Sequence, residues 1–174
     1  MDDAGRRSNL WRLLIAGCAI LAIALGIRHG FGIYLAPMSK DNGWGREVFA
    51  FAIALQNLVW GAAQPFTGRL ADRYGAGRAV ALGSVFYVAG LVGMATIASS
   101  SGFILAAGVL VGIGLAGTSF SVVFGAVGRA VAPEQRSMAL GIAGAVGSFG
   151  QFVMLPLGQS VMDAFNWSVA LTTC

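Results

Sequence analysis

Arg28 and His29 stand side by side in the stretch ALGIRHGFGIYLAP, residues 24–37, which otherwise holds no charge. A guanidinium is a permanently charged planar fork of donors that matches a carboxylate two bonds at a time. An imidazole, with an unperturbed pKa of ~6.5, takes up and returns a proton near neutral pH. Neighbours on a helix point about 100° apart, so the two side chains cannot both face one point squarely. Arg28 is the leading anion contact, whereas His29 either takes a proton in a coupled cycle or bonds to a neighbouring helix. Tyr34, Gln56, Asn57 and Gln151 are further polar side chains in apolar surroundings and complete the candidate binding set. Thr118 and Ser119 are polar groups of the same kind, which line a cavity or bond to adjacent helices.

The elements that must hold these residues are written in the composition. Hydrophobic residues make up 57% of the chain and charged residues 10%, with a mean hydropathy of +0.77. A soluble domain carries about 25% charge, so this is a membrane chain. The net charge of +4 gives no basic stripe with interleaved aromatics, which argues against nucleic acid as a partner. Cys18 and Cys174 form neither a disulfide framework nor a ligand cluster, so neither a metal nor a cofactor is implied. No nucleophile–base pair and no phosphate loop is present, which argues against an enzyme.

Five apolar runs, at about 13–37, 48–67, 79–98, 103–127 and 138–162, each approach the length that crosses a bilayer. Residues 1–12 form an N-terminal tail, and 163–174 a loop with the beginning of a sixth helix. The first run is too long for the apolar part of a signal peptide. Only helices and closed barrels satisfy their backbone in hydrocarbon, and the two-residue alternation of barrel strands is missing. The expected fold is an all-α helical bundle.

An arginine inside such a run costs roughly 2.5–3.5 kcal/mol on insertion scales and about 10 or more on an isolated helix. Arg28 lies about nine residues, or ~13 Å along a helix, from the outer end of its run at Pro37. A polar cavity between helices lowers that cost, as does a structural counter-charge. None of the five runs contains an Asp or Glu, so such a counter-charge must come from elsewhere.

Orientation follows from the basic residues in the connections. Arg6, Arg7, Arg12, Arg69, Arg73, Arg78, Arg129 and Arg136 fall on one side, against Lys40 and Arg46 on the other. The N-terminus is thereby expected in the cytoplasm, with the chain in the cell (inner) membrane. The glycines Gly26, Gly30 and Gly32, then Gly108, Gly112, Gly114 and Gly117, and finally Gly141, Gly144, Gly147 and Gly150 predict close helix packing.

The connection between the second and third runs reads GRLADRYGAGR, residues 68–78. Gly68 allows a close crossing, Asp72 can accept from helix N-terminal amides, and Gly75 permits a tight turn. The pattern Gly68, Asp72, Arg73, Gly75, Arg78, with Leu70 and Ala71 between, resembles the signature loop of the major facilitator superfamily of secondary transporters. Of the basic trio usual after the second glycine only Arg78 remains, Ala76 and Gly77 filling the other positions. The resemblance implies that Asp72 and Arg73 belong to a charge relay holding the two halves of a transporter together on the cytoplasmic side. It also implies alternating access, with substrate bound between the halves. The chain would then be an incomplete N-terminal half, not transport-competent without its missing C-terminal half.

Within the superfamily, the first run followed by PMSKDNGWGRE and then by Gln56 and Asn57 looks like the monocarboxylate and oxalate/formate branch. Relatives there carry organic anions and place a basic residue in helix 1, which Arg28 matches. The expected partners are a small organic anion of the carboxylate class, with a proton as the candidate coupling ion, and membrane lipid. Leu155 stands before Pro156 where the antiporter signature has glycine, which weighs against the alternative of a drug or other small-molecule exporter. A non-transporting membrane interaction protein, or a truncated remnant, is the alternative from another class.

Overall fold

The computed structural model describes residues 3–165 and 167–173, which fold into helices with no strand among them. Five stretches of the described residues are long and apolar enough to cross a membrane, as hydropathy predicts. The first three crossings are α1 (Asp3–Asn42), α2 (Arg46–Tyr74) and α3 (Ala76–Thr96). Helix begins at Asp3 rather than near Leu13, so most of the expected tail is helical, while Met1 and Asp2 lie outside the described residues. Hydropathy marks where hydrocarbon begins, whereas AGRRSNLWR contains no proline to stop the backbone from coiling earlier.

The turns are tight for identifiable reasons. Asn42 Nδ2 donates to the Met38 carbonyl at 3.0 Å, Gly43 turns the chain at φ +66°, and the Trp44 amide reaches the Ser39 carbonyl at 3.1 Å. That pattern closes the end of α1 by satisfying its last carbonyls. Gly75 alone separates α2 from α3, at φ +92°, a backbone angle that side chains disfavour.

The fourth crossing differs from the single helix expected over 103–127. It is assembled from α4 (Ser100–Phe103), a π segment (Ile104–Leu110), α5 (Val111–Thr118) and α6 (Phe120–Ala130). Ser119 lies between α5 and α6 in an extended conformation, φ −96° and ψ −175°. Glycine, serine and threonine are weak helix formers, and Gly108, Gly112, Gly114 and Gly117 lead up to the Thr118–Ser119 pair. Breaks at membrane depth persist only where neighbours supply the missing hydrogen bonds. α2 supplies them here: Gln56 Nε2 donates to the Ala107 carbonyl at 2.9 Å and Thr67 Oγ1 to the Ala116 carbonyl at 3.0 Å.

A single 3₁₀ turn (Pro133–Gln135) leads into α7 (Arg136–Ala164), and α8 (Trp167–Thr173) follows. Trp167 Nε1 donates to Asp41 Oδ2 at 2.6 Å and Ser168 Oγ to the Ala95 carbonyl at 3.1 Å, seating α8 on the ends of α1 and α3. α7 packs along α1, and the fourth crossing between α2 and α3.

Close packing selects some glycines and ignores others. A Cβ at Gly26 would stand 2.9 Å from the Gly150 carbonyl oxygen, and one at Gly83 would stand 2.8 Å from the Gly117 Cα. By contrast, Gly32, Gly68 and Gly141 face open space among the described residues. The close crossing expected at Gly68 and the regular packing face expected through Gly141 are therefore not formed within this bundle. Spacing identifies a face but not the neighbour that fills it.

Candidate functional site

Arg28 extends from the middle of α1 toward α2, where its Nη2 donates to Asn57 Oδ1. Asn57 is itself oriented by its Nδ2, which donates to the Ile53 carbonyl at 2.9 Å. Three residues further along α2, and so on the same face, Trp60 lies beneath the guanidinium, 4.9 Å from ring centroid to Cζ. The indole is fixed at its far edge, Nε1 donating to Ser119 Oγ at 3.2 Å. Thus the extended residue of the broken fourth crossing holds the ring on which Arg28 rests.

Both of these partners are uncharged. Asn57 contributes a dipole and Trp60 a ring quadrupole, attractive to a cation without neutralising it. Among the described residues Arg28 has no carboxylate partner, and its Nε is buried without an acceptor. A buried charge-bearing donor left unmatched is costly.

The other predicted binding residues are distributed differently. His29 is exposed, and its Nδ1 bonds to the Leu25 carbonyl of its own helix at 2.9 Å, one turn back. Gln56 is fully buried against the π segment, its Oε1 without a partner among the described residues. Tyr34 is buried beside α7, with its hydroxyl 3.0 Å from where a Cβ on Gly158 would lie. Gln151 is half-buried on α7. The structure thus joins Arg28 to Asn57 and leaves the bonds of His29 and Gln56 directed elsewhere. Trp60 was missed by sequence reasoning, although a helical projection from Asn57 places it on the same face. Thr118 bonds within its own helix, Oγ1 to the Gly114 carbonyl at 3.0 Å.

At the C-terminal end of α2, Asp72 accepts from Arg129 Nη1 at 2.8 Å, rather than from helix N-terminal amides. This ties the last turn of α2 to the last turn of α6. Arg73 lies over the Tyr74 ring at 5.3 Å, and Arg69 over Phe66 at 5.1 Å with its Nε donating to the Pro65 carbonyl. Arg78 is exposed at the start of α3. No group of three metal-ligating side chains occurs among the described residues.

The profile of the Major Facilitator Superfamily matches residues 13–174. Monocarboxylate transporter 11 of Mus musculus is 28% identical over 161 residues, covering 92% of this chain and 36% of that protein. Monocarboxylate transporter 11 of Homo sapiens is 27% identical over 161 residues, covering 92% of this chain and 34% of that protein. The chain therefore spans about a third of the length of these relatives.

Proposed function

The chain belongs to the Major Facilitator Superfamily, and from that membership we propose that it forms the N-terminal part of a secondary transporter for small monocarboxylates. The observation that carries the substrate class is Arg28: a cation within a membrane-spanning helix, held by the neutral Asn57 and Trp60, with a buried Nε donor unmatched among the described residues. A carboxylate accepts from such a fork with both oxygens, and an uncharged analogue forfeits the ionic part of the interaction. The names of the similar proteins support the same class.

In this reading, the substrate binds beside α1 and α2, and alternating access requires a second helical bundle facing them. The Asp72–Arg129 pair and Arg73 act at the cytoplasmic end, where they hold one conformation closed. Eight of the eleven basic residues fall on the side of the N-terminus, which supports a cytoplasmic N-terminus.

The test is uptake of a labelled panel of small monocarboxylates by the full-length protein in proteoliposomes, beside Arg28→Gln. The expected result is saturable uptake that the substitution reduces at least tenfold, roughly the value of one charge-assisted contact. Transport of none of the acids, or normal uptake by the variant, overturns the anion-site reading.

A further inference from the structure

Tyr87 is 5% exposed near the middle of α3, and its hydroxyl donates to the Ala24 carbonyl of α1 at 2.8 Å. Residues 24 and 28 are one helical turn apart, so this carbonyl is also the acceptor in line for the Arg28 amide. A carbonyl oxygen has two lone pairs, and the phenol occupies the one that the helix leaves unused. The turn of α1 on which Arg28 is mounted is thereby fastened to α3.

That turn needs an external fastening. Gly26 and Gly30 flank Arg28, and glycine is a poor helix former with little intrinsic rigidity. On one side, α7 approaches Gly26 through Gly150. On the other, Tyr87 reaches across from α3, whose own position is set by direct backbone contact with α5. A Cβ at Gly114 would lie 2.6 Å from the Tyr87 amide nitrogen, and the Gly83 and Gly117 backbones touch one turn away. The phenol ring is rigid, so its hydroxyl transmits the placement of α3 directly to Ala24.

We propose that Tyr87 is a positioning residue for Arg28, fixing the α1 turn from which the guanidinium reaches Asn57, Trp60 and an incoming carboxylate. The inference rests on the anion-site reading of Arg28 and assigns α3 a part in substrate affinity. A guanidinium on a long flexible stem binds a planar acceptor well only when the base of the stem is held still.

The experiment compares Tyr87→Phe in the wild-type and Arg28→Gln backgrounds of the full-length transporter. Tyr87→Phe keeps the ring and removes only the hydroxyl. The expected result is a KM for monocarboxylate raised roughly three- to tenfold, the range for one interhelical hydrogen bond in a membrane, with maximal rate per folded protein little changed. In the Arg28→Gln background the same substitution leaves KM where it was. In parallel, the Arg28 Nε–H resonance of ¹⁵N-arginine-labelled protein in nanodiscs, assigned through Arg28→Lys, shifts or broadens in Tyr87→Phe while that of Arg129 does not. An unchanged KM together with an unmoved Arg28 resonance overturns the proposal, as does an equal rise of KM in both backgrounds. Normal carboxylate transport by Arg28→Gln sinks the anion-site reading instead, and the resonance then decides the positioning role by itself.

Discussion

Asp72, near the end of α2, accepts a 2.8 Å hydrogen bond from Arg129 in the last turn of α6, so the second and fourth crossings are joined by one ion pair at this face. Both side chains are more than half exposed, at 67% and 55%. A pair this wet contributes at most about 1 kcal/mol to stability. In the proposed transporter, its part is to favour one arrangement of the helices.

Asp72→Asn is accordingly expected to leave thermal unfolding nearly unchanged while slowing transport severalfold, with substrate KM little altered. Exchange of the charges, Asp72→Arg with Arg129→Asp, recovers part of the rate. Unfolding curves and uptake kinetics on the same preparations check both statements, and a large loss of stability would mean that the pair is structural.

Asn57→Asp gives Arg28 an internal carboxylate partner. The new ion pair competes with the substrate, so uptake falls by about tenfold or more, since removal or masking of one charge-assisted contact is worth roughly 1.5–3 kcal/mol. Asn57→Ala loses one neutral contact and is milder. The order of the two variants in uptake assays is the readout, because a simple polar-packing role for Asn57 predicts the reverse.

Trp60 separates two contributions. Trp60→Phe retains a ring face for Arg28 but loses the bond to Ser119, whereas Trp60→Leu loses both. The cation–π contact is worth about 0.5–2 kcal/mol, so KM is expected to rise further in the leucine variant than in the phenylalanine one. Equal KM values would assign the effect of Trp60 to its indole N–H alone.

Glycine substitutions should divide according to what a Cβ meets. Gly83→Ala forces the α3 and α5 backbones apart and is expected to destabilise by about 1–3 kcal/mol. Gly141→Ala meets nothing within 4 Å and removes a poor helix former, so it is expected to be neutral or to stabilise by up to about 1 kcal/mol. Thermal unfolding in one detergent compares the two directly.

Much of the fold is legible in the chain because the bilayer imposes a simple rule of length and polarity. The runs at about 13–37, 48–67 and 138–162 fall within α1, α2 and α7, the run at about 79–98 extends two residues past the end of α3 at Thr96, and Gly75 makes the turn between α2 and α3. The fourth run reads as a single helix because its uniform apolarity hides the weak helix formers at Thr118 and Ser119. That break depends on donors from α2, which no local pattern announces. The same holds for the site. Arg28 is conspicuous as a charge among apolar neighbours, but Trp60 and Tyr87 are ordinary aromatic residues of membrane helices until tertiary packing brings one under the guanidinium and the other to the Ala24 carbonyl. His29 shows the opposite failure, conspicuous by type yet satisfied within its own helix.

The extended residue at Ser119 also limits which side chains positions 60 and 119 can hold together. A substitution there that restored continuous helix would straighten the fourth crossing, but it would strand the Trp60 indole N–H in hydrocarbon and release the ring beneath Arg28. Positions 60 and 119 are therefore coupled: the irregularity of one helix is the foundation on which the charge in another is set, and a change at either disturbs the ring beneath Arg28.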